Sequence, residues 1–294
     1  MIHKNNIGIV ITSLGNQNYL TKCLKSIFKQ TSIPAQIILV IPINKTLNNS
    51  FKKLDIYYSK IQNQVHQRNL GISKLSQEIK ILIQLDESVI LKKDAIQNIL
   101  KCWNMNENQN VAGIGFNELS QKSKLPLFSR FFKNYQGSVF KNGMCIEYDN
   151  IKKITQVSWL KGGITSYDLR KVKNIRNRPF PIISWSVCED LIFSYQVQKK
   201  YKLIICPDAK VILMKKYFNN TNLRNEYYLG KLYSHNFKHF VRINKELSIS
   251  YYFISILILF FYGICKGVIF FNLKKIVFNF GKIAGLFSKN LFYN

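Results

Sequence analysis

Short apolar runs separated by helix-length amphipathic stretches set the class of fold open to this chain. Ile7–Thr12 (IGIVIT), Gln36–Ile41 (QIILVI), Ile79–Leu85 (IKILIQL) and Val111–Phe116 (VAGIGF) are too short for helices and too continuously apolar for surface strands. Such runs suit strands covered on both faces. Between the first two, Leu20, Cys23, Leu24, Ile27 and Phe28 recur at i, i+3, i+4, i+7 and i+8, one face of a helix, and Pro34 ends that unit. Ile96, Ile99, Leu100 and Trp103 form another such face, and Ile56–Tyr58 is a shorter β-rich piece. The alternation predicts an α/β fold, a Rossmann-like sheet flanked by helices. Residues 117–150 are less regular and are expected to run over the surface near the site. Beyond them the pattern predicts a strand at Gln156–Leu160 and a helix from about Tyr167. A second helix should open at Cys188-Glu189-Asp190 and run to about Tyr201, with closing strands at Lys202–Cys206 and Lys210–Leu213.

The tail changes character. Leu247–Cys265 (LSISYYFISILILFFYGIC) carries no charge and lies between Lys245-Glu246 and Lys266. At about 1.5 Å per residue it nearly matches a hydrocarbon core of roughly 30 Å. Gly267–Phe287, punctuated by Lys274, Lys275 and Lys282, has the pattern of an interfacial amphipathic segment with snorkelling lysines. The expected division is a domain over residues 1–245 and a membrane-associated segment over 246–294, which spans or only inserts.

Charge and cysteine usage narrow the setting. Forty-three Lys and Arg against fifteen Asp and Glu give a net charge of +28. The lysines are spread along the whole chain, which suits solvated faces. No reader motif or basic stripe with stacking aromatics points to nucleic acid. The excess favours an anionic membrane surface, at roughly 1 kcal/mol per cation near it. Six cysteines are dispersed without a C-x-x-C pair, which argues against a disulfide framework and suits a reducing cytosol. The first residues show no basic region, long apolar core or cleavage site of a secretion signal, so the expected location is the cytoplasmic face of the cell membrane.

In open α/β sheets ligands bind beyond the carboxyl ends of the strands. Asp86 and Glu87 follow the apolar run Ile79–Leu85 and so reach that rim. Such a pair can hold Mg²⁺ or Mn²⁺ against a diphosphate, although a turn carboxylate there is ordinarily an Asx turn or a helix cap. Glu189-Asp190 opens a helix, where acids suit the helix dipole and where one can also act as a general base. Gly162-Gly163 after Trp159 permits close backbone approach. His235 and His239 have a metal-ligand spacing but no evident third ligand. Asn48-Asn49-Ser50 and Asn219-Asn220-Thr221 fit the N-glycosylation pattern, to which no role is given without a secretion signal.

Taken in order, these pieces resemble the inverting family 2 glycosyltransferases of bacterial surface-polysaccharide type. Ile7–Thr31 is similar to that family's opening strand and helix, and Gln67–Ile72 (QRNLGI) to its QRNxGI segment. Leu85–Val89 (LDESV) occupies the place of its LDDDV metal motif. Val157–Gly163 (VSWLKGG) resembles its WLxGG segment, and Cys188–Tyr195 with Lys202-Leu203 and Cys206–Ala209 its EDxxxSY…KL…P.A block. The resemblance covers about residues 7–240. It implies a GT-A fold and a single displacement that moves a sugar from a nucleotide-sugar donor to a hydroxyl of a lipid-linked or other glycan acceptor. Asp190 would be the base, with Glu189 beside it. Asp86, with Glu87, would hold a divalent metal. Thr12, Arg68, Asn69 and Asp86 would sit by the donor, and Trp159, Gly162 and Gly163 would shape the sugar pocket.

Three positions depart from the pattern. The second strand ends in Pro42-Ile43-Asn44 where the family has an acidic run, Ser88 replaces the third acid of the metal motif, and no His follows the closing strand around Leu213-Met214-Lys215. A catalytically degenerate binding or scaffold protein therefore stands as the alternative.

Overall fold

The computed structural model describes residues 2–47, 51, 53–119, 133–172, 187–214 and 222–288. Both N-glycosylation patterns lie outside these. Strand β1 (Ile7–Thr12) is buried at every residue and pairs in parallel with β2 (Gln36–Pro42) and β4 (Ile81–Asp86). The β3 strand (Asp55–Ser59) adds in parallel to the far side of β2. Helix α1 (Gln17–Phe28) links β1 to β2 and buries Leu20, Cys23, Leu24 and Ile27, the face its spacing predicts. Its N-cap Asn16 accepts from the Tyr19 N–H at 3.2 Å. Helix α2 (Gln64–Ser73) is capped in the same way by Asn63, which accepts from the His66 N–H at 3.0 Å.

The other half of the sheet is mixed. Strands β5 (Val89–Leu91), β6 (Val111–Glu118), β7 (Thr155–Val157), β8 (Ile164–Asp168) and β9 (Lys202–Leu213) complete nine strands among the described residues, with α3 (Ala95–Met105) and α4 (Glu189–Gln198) against them. The path runs β3-β2-β1-β4-β8-β6-β9-β5, with β7 on β9. β8 is antiparallel to β4 and to β6, whereas β6 and β9 are parallel. This is the mixed α/β fold with flanking helices that the alternation predicts.

Two local expectations change. A helix is expected from about Tyr167, but Tyr167 and Asp168 belong to strand β8, and residues 173–186 lie outside the described residues. The β8 run Ile-Thr-Ser-Tyr is β-branched and aromatic, every residue is buried, and Ser166 accepts from the Trp103 indole N–H at 3.0 Å. The two closing strands are one, β9. It is broken by a register shift at which Phe116 faces Cys206 but Asn117 faces Lys210. Asn117 fills the irregularity, donating to the Pro207 carbonyl at 2.8 Å and to that of Ile151 at 2.9 Å.

The chain divides into two compact units, Met1–Ser138 with Ile146–Lys215, and Val139–Cys145 with Lys216–Asn294. The second contains α5 (Leu223–Ile243), α6 (Ile249–Ile269) and α7 (Leu273–Phe287). The contact boundary at Lys216 precedes the composition change at Glu246, because α5 packs on α7 backbone to backbone. A Cβ on Gly281 would stand 2.1 Å from the Tyr227 carbonyl oxygen, and one on Gly285 2.3 Å from that of Lys231. Buried Lys238 on α5 then caps the end of α7, donating to the Leu286 carbonyl at 2.6 Å and to that of Ser288 at 2.9 Å.

Candidate active site

The end of β4 and the start of β8 make the floor of the site. Asp86 ends β4 and pairs with Thr12 at the end of β1, so both reach the carboxyl rim of the parallel strands. The Asp86 N–H donates to the Gly163 carbonyl at 3.2 Å. A Cβ on Gly163 would lie 2.4 Å from the Asp86 carboxylate carbon, and one on Gly162 2.9 Å from the Asp190 Cβ. Both positions need glycine because two acidic side chains press against this backbone.

Helix α2 supplies the back wall. Gln64 and Arg68, one turn apart, both reach Asp86. Gln64 Nε2 donates to Asp86 Oδ1. Arg68 is 2% exposed, with its guanidinium 3.5 Å from Asp86 Oδ1 and 3.6 Å from Glu189 Oε1. Thr12 Oγ1 donates to the same Asp86 oxygen at 3.4 Å, behind the carboxylate. Gln67 is committed to scaffold and donates to the Ser13 carbonyl at 3.0 Å. Asn69, two residues on, keeps its Oδ1 buried and without a hydrogen bond among the described residues.

Helix α4 supplies the opposite wall. Cys188, its N-cap, holds φ 68°, a left-handed conformation that is costly for a residue with a side chain. That bend delivers Glu189 and Asp190 to the rim. Asp190 accepts from the Gly162 N–H at 2.9 Å and from the Leu191 N–H at 2.8 Å. Burial pushes its carboxyl above the ordinary value, with the two N–H groups and Arg68 pulling back. The Glu189 carboxyl is also raised, first by burial and then by Asp190, against the pull of Arg68. The helix is anchored by Ser194, which accepts from the Leu160 N–H at 3.0 Å, and by Phe193, whose ring meets that of Tyr167 edge-on at 5.2 Å.

Between these walls lies an open cleft of about 330 Å³. Asp86, Asp190, Glu118 and Glu147 line it, with Lys161 the cation among its lining residues. Lys161 Nζ sits 2.6 Å from Glu118 and 3.7 Å from Glu147, over the ring of Tyr148 at 5.0 Å. Trp159 also lines the cleft; its ring lies 5.7 Å from that of Tyr148, and its indole N–H is buried without a hydrogen-bond partner among the described residues. In a chain of charge +28 this is a locally acidic hollow.

The structure thus brings together Asp86, Trp159, Gly162, Gly163 and Asp190 in the lining, with Arg68, Thr12 and Glu189 behind it. Glu87 does not join them. It is 4% exposed and accepts from the Ser13 hydroxyl at 2.5 Å and from the Asn16 N–H at 3.2 Å, bracing the start of α1. Of the expected metal run, Asp86 and Ser88 line the cleft. Among the described residues no group of three His, Cys, Asp or Glu side chains is arranged to hold a metal, and His235 and His239 belong to no such group. One carboxylate can share an ion with a bound diphosphate but cannot hold it alone.

Sequence reasoning missed Gln64, Glu118, Glu147 and Lys161. Glu118 was findable by the rule that singled out Asp86, because it too ends an apolar strand. Gln64 was findable as the residue one helical turn before Arg68.

No protein family model matches the chain, and no curated protein matches it. Solved structures do resemble it. The mannosyltransferase PcManGT from Pyrobaculum calidifontis, in complex with GDP-Man and Mn²⁺, is similar over 98% of this chain and 89% of that one, with TM-score 0.59 and 9% identity. S. aureus TarS 1–349 is similar over 78% of this chain with TM-score 0.50 and 12% identity; the match spans 64% of the TarS chain, less than two thirds of its length. The fold is therefore one that a mannosyltransferase also uses. At these identities the likeness concerns the fold.

Proposed function

We propose that the chain is a glycosyltransferase that moves a sugar from a nucleotide-sugar donor to an acceptor hydroxyl with inversion at the anomeric carbon. The observation that carries this reading is the placement of Asp190 and Asp86 in one cleft, each held by an adjacent glycine of the Gly162-Gly163 pair. Asp190 takes the acceptor hydroxyl proton as the oxygen attacks the anomeric carbon. The bond from that carbon to the donor phosphate breaks, and a nucleoside diphosphate leaves. The two N–H bonds fix the carboxylate's direction, and the raised proton affinity suits a base working near neutrality. Glu189 stays behind it, tied to Arg68, as a positioning group.

A cleft lined by four carboxylates repels a diphosphate unless a cation comes with it. Asp86 would share Mg²⁺ or Mn²⁺ with the donor phosphates, and the ion would supply charge to the departing diphosphate. Lys161 is the protein's own cation in the lining. Trp159, with an apolar face and an unused N–H, suits a sugar ring. The acceptor class we favour is a lipid-linked glycan of surface polysaccharide, reached from the cytoplasmic side of an anionic membrane.

The test is a panel of nucleotide sugars incubated with purified protein and Mg²⁺ or Mn²⁺, followed by nucleotide release. Slow hydrolysis of one donor is expected. A folded preparation that neither binds nor cleaves any of them would remove the enzyme reading. The alternative, a degenerate relative that binds a donor without turnover, is favoured by Ser88 and by the inward turn of Glu87; it predicts binding without release.

A further inference from the structure

We infer that the α6–α7 hairpin lies in the plane of an anionic membrane, with the outward stripe of α6 inserted in one leaflet and neither helix crossing the bilayer. This placement holds whether or not the chain transfers a sugar.

Alone, α6 satisfies the length and composition of a spanning helix. Its neighbours do not. The contacts Tyr227–Gly281 and Lys231–Gly285 advance together along both chains, so α5 and α7 run parallel. Gly263 against Asn279, and Gly267 against Ile276, set α6 antiparallel to α7, and Tyr252 Oη donates to the Ser234 carbonyl at 2.7 Å, which ties α6 to α5. If α6 stood upright, α7 and α5 would stand beside it in hydrocarbon. The 15 residues of α7 reach only about 22 Å, short of the roughly 30 Å core. Lys231, Lys238 and Lys282 would be carried into the bilayer at roughly 2.5–3.5 kcal/mol each near its centre.

Lying flat removes the conflict. Tyr251, Ile254, Ile258, Phe261, Tyr262 and Ile269 are exposed along one side of α6, while Tyr252, Ile256, Gly263 and Gly267 are buried on the other. From Ile249 to Cys265 the helix carries no charge, and half-buried Lys266 near the tip lies over the ring of Tyr262 at 5.8 Å. At the hairpin tip Phe270 and Phe271 are exposed, Phe271 to 96%. Lys282, expected to snorkel, instead turns inward over the rings of Tyr233 and Phe278 at 5.4 and 5.0 Å. Lys245 before the stripe and Lys274 after its tip stay exposed. An apolar stripe with cations at its ends suits an anionic leaflet.

A second copy of the chain is the competing occupant, and two observations disfavour it. Two chains of +28 repel each other. The small-residue pairs Gly263/Gly267 and Gly281/Gly285, which would let a partner helix approach closely, are already filled within the bundle.

The test uses the full chain bound to vesicles of phosphatidylcholine and phosphatidylglycerol (3:1). Nitroxides are placed singly at Tyr251→Cys, Ile258→Cys and Ile269→Cys, and depth is read from oxygen and nickel accessibility. All three should report one shallow depth, within about 10 Å of the headgroups. A depth that deepens from Tyr251 through the bilayer centre and emerges at Ile269 would overturn the proposal in favour of spanning. Absence of lipid contact, with a mass that doubles with concentration, would overturn it in favour of a dimer. As a second variant, Ile258→Lys should weaken vesicle binding at least tenfold and leave nucleotide release in solution unchanged. Unaltered binding by that variant would also count against the proposal.

Discussion

Gly163 lies so close to Asp86 that a Cβ built on the glycine would stand 2.4 Å from the carboxylate carbon, and the Asp86 N–H donates to the Gly163 carbonyl at 3.2 Å. The carboxylate's position is therefore set by a missing side chain on the neighbouring strand. Gly163→Ala should push Asp86 out of place, reduce nucleotide release at least tenfold and destabilise the fold by about 1–3 kcal/mol. Release rates and urea denaturation of the variant check both parts. An unaltered release rate would mean that the position of Asp86 does not matter to turnover.

Arg68 is buried between the carboxylate at the end of β4 and the one at the start of α4. Replacing it with Met should leave Asp86, Glu189 and Asp190 without their buried cation and cost about 3 kcal/mol at pH 7.5. The loss should shrink toward pH 4.5 as Glu189 and Asp190 take up protons. Denaturation at both pH values tests this, and a loss independent of pH would assign Arg68 a packing role only.

The paired acids give the fold a stated pH response. Burial raises the carboxyl of Glu189 above its ordinary 4.5 and that of Asp190 above 3.8, and both return to those values in the unfolded chain. The folded state therefore binds these protons more tightly. Their contribution to stability is complete below the ordinary values and is lost as pH rises through the raised ones. Glu189→Gln should stabilise the protein relative to wild type at pH 8 and have little effect at pH 4. A wild type that outlasts the variant at pH 8 would reverse the assignment.

The sheet half built of β1, β2 and β4 was legible because its strands are uninterrupted apolar runs and α1 shows its buried face by spacing. β8 was not, because a five-residue strand carrying Thr, Ser and Tyr offers neither alternation nor an apolar run; what makes it a strand is its place between β4 and β6. The site divides in the same way. Asp86 and Asp190 could be placed from a strand end and a helix start. The inward turn of Glu87 could not, because it depends on Ser13 and the Asn16 N–H, some seventy residues away in sequence. Glu147 lies in an irregular stretch whose course only the folded chain defines.

The base assignment is the centre of the account. Asp190 sits in the cleft with its carboxylate aimed by the N–H groups of Gly162 and Leu191. The most direct measurement is nucleotide release from a donor the protein accepts, compared between the wild type and Asp190→Asn under the same metal, with donor affinity measured in parallel. The account predicts donor binding within about threefold of wild type and release slower by a factor on the order of 10² to 10⁴. Release at the wild-type rate by the variant would contradict it and leave Asp190 as a helix-start residue without a part in the chemistry.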